Sequence, residues 1–517
     1  MLIAMGLEAL FSASGATLPT TSLQFHGRTV IWSFVVGVGV TLIAALGPAR
    51  RVRAVPPVAA MRDDAVVTAA VVTRRRIVSG TLTTAVALAV LLFGLVGSSS
   101  QALPLVGIGA LLTFIGAGIL APLVARPSAR IIGWPLSRGL GFSGKLGREN
   151  AMRNPLRTSR TAAALMIGIG IIGFFTIVAS SFKASVADTI NNAIGADFIV
   201  NHFTGSSPGF STDVARRIQR VPLVASTAEF RFGNWKDGSG KTQQLSAADP
   251  QAFSSGIFKL NMVQGGYSDL GAGSVFVSKQ TADADGFHIG DSLPMTFART
   301  GAQHLRISGI YDKSNNAFAG DFFISLSSYQ VNFTDQLDSV VGVDVRSGVT
   351  PAAGKQALQA ALVDYPQLKI DDQASLKRSN EDQINQLLNI IYVLLALAVF
   401  IALFGIVNTL ALSVFERTRE IGLLRAVGMA RRQVRRMITY ESVIVAVIGA
   451  YLGVIIGSFF GWATTKALHD SGVTNFSYPL ATLVIFVVLA GVAGVVAGFF
   501  PARRAARIDV LRAITTE

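Results

Sequence analysis

The stretch ERTREIGLLRAVGMARRQVRRMITYES, Glu416 to Ser442, joins two apolar runs, 386–414 and 437–467, each long enough to cross a bilayer. Its apolar positions Ile421, Leu424, Val427 and Val434 recur at helical spacing, while Glu416, Arg417, Glu420, Arg425 and Arg431 fall on other faces. Acidic residues stand at its N-terminal end and basic ones at its C-terminal end, which suits the dipole of a short helix. Such an amphipathic helix lies on a bilayer surface or docks into a partner's groove. A membrane anchor would favour Trp and Phe on the apolar face. Here the small residues Gly422, Ala426 and Gly428 suit close contact with protein.

Outward from this stretch the chain is mostly apolar. Its 517 residues are 51% hydrophobic and only 15% charged, against about 25% in soluble proteins. That composition excludes an ordinary soluble enzyme, a disordered tail and a collagen-like fibre. Seven stretches have the length of a crossing: 29–47, 77–96, 104–125, 161–182, 386–414, 437–467 and 479–500. A polar region, 184–385, separates the fourth from the fifth and is large enough for a folded domain. Of the 45 basic residues, 26 lie in four segments, 48–76, 126–160, 415–436 and 501–517. Since Lys and Arg mark the cytoplasmic side, those segments face the cytoplasm and the polar domain faces out. The formal charge of +15 is therefore a property of one membrane face and does not call for nucleic acid. With no cysteine, the chain has no disulfide, thiolate metal site or cysteine nucleophile.

GPARRVRAVPPVAAMRD (Gly47–Asp63) aligns with FPARRAARIDVLRAITTE (Phe500–Glu517) at an offset of 453, each following an apolar run. The alignment implies duplication, with residues 1–62 as the end of a first repeat. Residues 1–16 then correspond to the outer half of the sixth span, and a partial span is expected there. The sixth span itself carries Gly449, Gly453, Gly457 and Gly461 at i, i+4 spacing, a pattern that lets helix backbones approach closely. A neighbour within the chain and a second copy fit this stripe equally. Of the polar residues in spans, Asn408 is expected to bond a neighbouring helix. Glu441 is expected to pair near Arg435, Arg436 and Tyr440.

The Glu416–Ser442 stretch resembles the cytoplasmic coupling helix of the FtsX-like, MacB-type ABC transporter permeases, whose pattern is E-R-x-x-E-I-G-x-L-R-A-x-G. Glu416, Arg417, Glu420, Ile421, Gly422, Leu424, Arg425, Ala426 and Gly428 all match. NPLRTSRTAAALMIGIGI (Asn154–Ile171) resembles the family's elbow and first span, GSVFVSKQTADADGFHIGDSLPM a segment of its outer domain, and PARRAARIDVLRAI its C-terminal end. The resemblance implies a polytopic α-helical membrane protein of about seven full spans plus a partial one, with an extracytoplasmic α+β domain. By domain, it implies a first-repeat remnant at 1–62, a linking span pair and loop at 63–146, and an elbow and span at 147–183. The outer domain follows at 184–385, then a three-span permease core at 386–517 with its coupling helix at 416–432. The implied setting is the bacterial cytoplasmic membrane, with the C-terminus inside.

A separate cytosolic ABC ATPase, which alone binds ATP and Mg, would dock on that helix. Its cycle would move the outer domain, a mode called mechanotransmission. The implied role is export or extraction of a hydrophobic, lipid-linked or peptide substrate. The alternative is a signalling subunit that activates an extracellular partner such as a cell-wall hydrolase. A homodimer or a pseudo-dimer of repeats is expected.

Nothing in the outer region carries enzyme chemistry. SVFVS, LRISGIY, FFISL and VVGVDV alternate as strands, and 212–220 and 352–363 read as helices. Its basic and acidic residues nearly cancel. His202, His288 and His304 are not spaced as metal ligands, and Asp283, Asp285 and Asp291 lack the rest of a calcium loop. GNWKDGSGKT (Gly233–Thr242) ends like a phosphate loop but has Trp235 where the first glycine belongs, so a hairpin turn is the better reading. No catalytic residue, metal or cofactor is assigned to this chain.

Overall fold

The computed structural model describes residues 27–53, 73–96, 102–202, 209–313, 320–469 and 472–509. The partial span expected at 1–16 lies outside these residues. The long helices are α1 (Gly27–Arg53), α2 (Arg74–Val96), α3 (Ala102–Gly139), α4 (Gly141–Arg153), α5 (Pro155–Ala193), α6 (Gln373–Glu416), α7 (Thr418–Ala426), α8 (Arg431–Ala467) and α9 (Leu480–Ala505). Among the described residues, six of them (α2, α3, α5, α6, α8 and α9) are long and apolar enough to cross a membrane. The span expected at 29–47 falls in α1, whose described apolar run is the shorter Val30–Leu42. Helices α1 and α9 begin 453 positions apart, the same offset that aligns their PARR ends.

Helix α8 is the hub of the bundle. It packs along α5 and α9, with α3 and α4 beside it, while α6 lies on α5 and α9. The glycine stripe makes the first of these contacts, and within one chain. A β-carbon on Gly453 would sit 2.6 Å from the Met166 carbonyl oxygen, and one on Gly457 2.4 Å from that of Gly170. Gly449 meets the Ala162 carbonyl in the same way, and Gly461 faces the Ile177 side chain. Only hydrogen leaves room for two backbones this close. Asn408 is exposed and has no hydrogen bond among the described residues, so the expected bond to a neighbouring helix is not made. Its face of α6 also carries exposed Phe404 and Leu412, which points it away from the bundle.

Two helices outrun the bilayer. The apolar parts of α5 and α6 end near 182 and begin near 386, yet the helices continue to Ala193 and back to Gln373. They stay paired along this stalk. The Thr176 and Tyr392 hydroxyls are 2.9 Å apart. Beyond them Lys183 donates to Asn385, Lys377 to Asn191, and the Gln373 amide to the Ile194 carbonyl at 3.0 Å. The polar stretch 184–385 thus begins and ends in helix, with a sheet domain between.

That domain has one ten-stranded sheet. Its strands are β1 (Phe198–His202), β2 (Val224–Lys236), β3 (Thr242–Ala248), β4 (Asn261–Gln264), β5 (Ser274–Ser278), β6 (Ser292–Phe297), β7 (Gly301–Asp312), β8 (Phe322–Ile324), β9 (Val340–Val345) and β10 (Leu368–Asp371). Their order is β10-β1-β9-β2-β3-β8-β5-β7-β4, with β6 paired to β2 and β7. Pairing is antiparallel except for β3 with β8 and β5 with β7. Strand β5 is buried on both faces, Val275 and Val277 packing with Ile324 on one and Phe276 with Phe323 on the other. Helices at Asp213–Gln219 and Pro351–Ala361 cover Phe198, Val341 and Val343. The GNWKDGSGKT segment is the β2–β3 turn. Asp237 Oδ1 accepts from the Ser239 and Lys241 amides at 2.9 and 3.0 Å, and Gly240 has φ +82°. The Ser239 hydroxyl and the Gln243 side-chain amide also donate to this carboxylate and, with the two backbone amides, hold it at about 2, below the usual range.

Candidate functional site

Helix α6 ends at Glu416, and the chain turns through Arg417 into the nine-residue α7. The sequence reading ran one helix from 416 to 432. In the structure Glu416 closes the preceding span and Arg431 opens the next, so α7 is shorter and is bracketed by two turns. The second turn explains Gly428. Its amide donates to the Arg425 carbonyl at 3.1 Å and the Met429 amide to that of Leu424 at 3.0 Å, with φ +108° at the glycine. This is a Schellman ending, which needs a residue without a β-carbon. Gly428 is therefore a turn residue, with no packing contact at its β-position. Gly422 is buried and Ala426 is exposed.

One face of α7 is fastened down. Ile421 is buried with Val414, Val434, Met437 and Ala502, which come from α6, α8 and α9. The Arg425 guanidinium donates to the Ile508 carbonyl beyond α9. Arg417 reaches the Glu441 carboxylate of α8 at 3.9 Å. That partner replaces the expected neighbourhood of Arg435 and Arg436, because Glu441 faces inward toward Asn150 of α4 and Arg157 of α5. Arg157 itself holds Glu416 at 3.3 Å and donates to the Thr409 carbonyl at 2.9 Å. A cavity of about 230 Å³ lies under α7 between Glu149, Arg153, Glu420, Leu424 and Glu441. Helix α4, which precedes Asn154, floors it. It packs on α8 where Gly147 would bring a β-carbon to 2.9 Å from the Met437 carbonyl oxygen.

The other face is free. Leu423 is 60% exposed and Val427 84% exposed, one turn apart, with exposed Arg419, Glu420 and Ala426 around them. The periodicity had put Val427 on one stripe with Ile421, Leu424 and Val434, of which Ile421 and Val434 are buried, and passed over Leu423. The signal that could have found both is their i, i+4 spacing at the end of a short helix in which Ile421 already fills the core position. Rigid on one side and apolar on the other, α7 has the properties of a docking element. Among the described residues no group of His, Cys, Asp or Glu could hold a metal ion.

Comparison with known proteins bears on both ends of the molecule. Residues 392–510 match the FtsX-like permease C-terminal family, and residues 158–361 match the MacB-like periplasmic core domain. The chain is an FtsX-like permease with a MacB-like periplasmic core. Within this family, an ABC transporter permease protein of Mycobacterium tuberculosis is 23% identical over 77% of the chain and 48% of its own length. The macrolide export ATP-binding/permease protein MacB of Nitrobacter winogradskyi is 26% identical over 70% of the chain and 58% of its own length. The chain thus spans about half the length of these relatives. The periplasmic region of MacB from Actinobacillus actinomycetemcomitans aligns with 37% of the chain and 95% of its own at 14% identity and a TM-score of 0.29. As an FtsX-like permease, the protein is a multi-pass membrane protein with its sheet domain outside the cytoplasm.

Proposed function

We propose that this permease is the membrane subunit of an ABC transporter, and that a separate cytosolic ATPase seats on Leu423 and Val427 of α7. In this reading the Arg-rich helix ends and the C-terminus lie in the cytoplasm, ATP and Mg bind only to the partner, and mechanical work passes through the spans to the sheet domain. The observation that carries it is the two-sidedness of α7. A face fixed by Ile421, Arg417 and Arg425 transmits a push without yielding, and an exposed apolar face receives one. Helix α6 supplies the transmission. Its 44 residues contain no proline and run unbroken from the sheet domain to Glu416.

The substrate class is hydrophobic, lipid-linked or peptide. The macrolide-export names of the relatives make a hydrophobic small molecule the first to test. The decisive experiment is co-purification with a candidate ATPase. Leu423→Asp with Val427→Asp abolishes capture while the protein's melting temperature stays unchanged. Undiminished capture by this variant would refute the docking assignment. Arg425→Glu is a poorer probe, because it also releases the Ile508 segment.

A further inference from the structure

Helices α3 and α6 each pack on α5 and leave a cleft of about 1170 Å³ between them at the arginine-rich end of the bundle. Four guanidinium groups line it: Arg126 from α3, Arg153 at the end of α4, and Arg157 and Arg160 from the first turns of α5. One carboxylate, Glu416, lies among them, and Arg157 already holds it. Arg126, Arg153 and Arg160 are exposed and have no acidic partner among the described residues. The cleft therefore keeps an uncompensated positive charge where the spans end. Its upper wall is apolar. Leu123, Ala164 and Leu412 line it, and Leu412 continues into the exposed span surface through Phe404.

We infer that this cleft binds the phosphate headgroup of an anionic membrane phospholipid, with one acyl chain lying along the apolar wall of α6. The charge selects an anion, and converging arginines suit phosphate because their planar forks offer paired donors. The apolar wall selects a lipid over a free ion, since a soluble phosphate leaves Leu123 and Leu412 facing nothing. A zwitterionic headgroup carries its own cation into the same field and binds more weakly. The bound phosphate shares Arg157 with Glu416, the last residue before α7. Lipid in the cleft thus bears directly on the joint at the end of α6.

The test uses the full chain, purified in non-ionic detergent and delipidated, with phosphatidylglycerol and phosphatidylcholine offered at equal concentration and bound lipid counted by intact-protein mass spectrometry. Phosphatidylglycerol is retained about tenfold more strongly than phosphatidylcholine. The double variant Arg126→Gln, Arg160→Gln loses most of that preference. Arg130→Gln with Arg138→Gln, on the same helix but outside the cleft, keeps it. Ala164→Trp fills the apolar wall without changing charge and also weakens phosphatidylglycerol binding, so the test stands if the arginine variant folds poorly. Millimolar inorganic phosphate leaves lipid binding unchanged. The inference is overturned if the cleft variants bind phosphatidylglycerol as the native chain does, or if the control pair loses it equally. Displacement of the lipid by inorganic phosphate would also overturn it and make the cleft a site for free anions.

Discussion

The two ends of α6 hold their charge pairs in opposite ways. In the sheet domain Arg231, 2% exposed, donates to Asp338 at 2.8 Å, to Glu229 at 2.7 Å and to Gln336 at 2.8 Å. All four residues come from β2 or the segment leading into β9, and Asp338 is itself bonded through its backbone to Phe210. At the far end Arg417 meets Glu441 only at 3.9 Å, Arg157 meets Glu416 at 3.3 Å, and the partners come from three different helices and the turn before α7. Short bonds within one sheet make a body that moves as a unit. Longer ones between helices make a joint that can readjust without unfolding. Under the proposed ATPase-driven push, the part that is moved must be stiff, and the part that moves it must be able to change partners.

The contrast can be broken most forcefully at Arg231. Replacing it with Met strands Asp338 and Glu229 in the core and should cost about 3–5 kcal/mol, read as a large fall in the melting temperature of the full chain. An acid-sensitive signature accompanies it. Burial and the neighbouring Glu229 push the Asp338 carboxyl up to about 7, with Arg231 pulling the other way. The folded domain therefore holds a proton that the unfolded chain releases near pH 4. This carboxyl's contribution to stability is full below that pH and is lost as pH rises through about 7, by on the order of 4 kcal/mol. Asp338→Asn should flatten this dependence in a melting series from pH 5 to 8.

Between the two ends, Gly457→Leu would drive a side chain into the Gly170 carbonyl and separate α5 from α8. A loss of about 2–3 kcal/mol is expected in detergent unfolding. At the joint the effect shrinks. Arg417→Gln should cost only about 1 kcal/mol, since Arg157 still faces Glu441. Yet it should uncouple ATP hydrolysis by the partner from movement of the sheet domain, measured by a distance probe across the stalk. A stability loss at Arg417 as large as at Arg231 would erase the distinction between body and joint.

How legible these features were depends on how far apart the interacting residues lie in the chain. Membrane spans are local, because 20 apolar residues announce themselves, and SVFVS and VVGVDV declare strands by alternation. The glycine stripe was visible by its spacing, but the Ala162–Ile177 surface that it meets lies some 280 residues earlier and leaves no mark on it. Arg425 looked like a free basic residue on a polar face. Its bond to Ile508 depends on where α9 ends, which the local pattern does not encode. Glu441 likewise had arginines beside it in sequence and took a different one in space. Gly428 was readable in principle, since a glycine two residues beyond the last helical position is a stop signal. Its place inside a conserved-looking motif invited a packing role instead. Strands β2 and β3 were read only through their turn, because NWKDGSGKT and its flanks mix polar residues with few β-branched ones.

The paired helices of the stalk would carry a rotation from one side of the membrane to the other. At about 1.5 Å per residue, α6 measures roughly 65 Å, and α5 runs beside it, tied at four levels from Thr176 to Ile194. Cross-linked rods resist bending far better than single ones, so the pair behaves as a lever whose fulcrum is the glycine contact between α5 and α8. A tilt of only about 5° about that point, which is level with the middle of α6, carries the distant tip about 3 Å sideways and the near end about 2 Å the other way. The gearing is thus set by where four glycines fall along α8. Moving them by one turn would change the stroke of the molecule without altering any residue at either end.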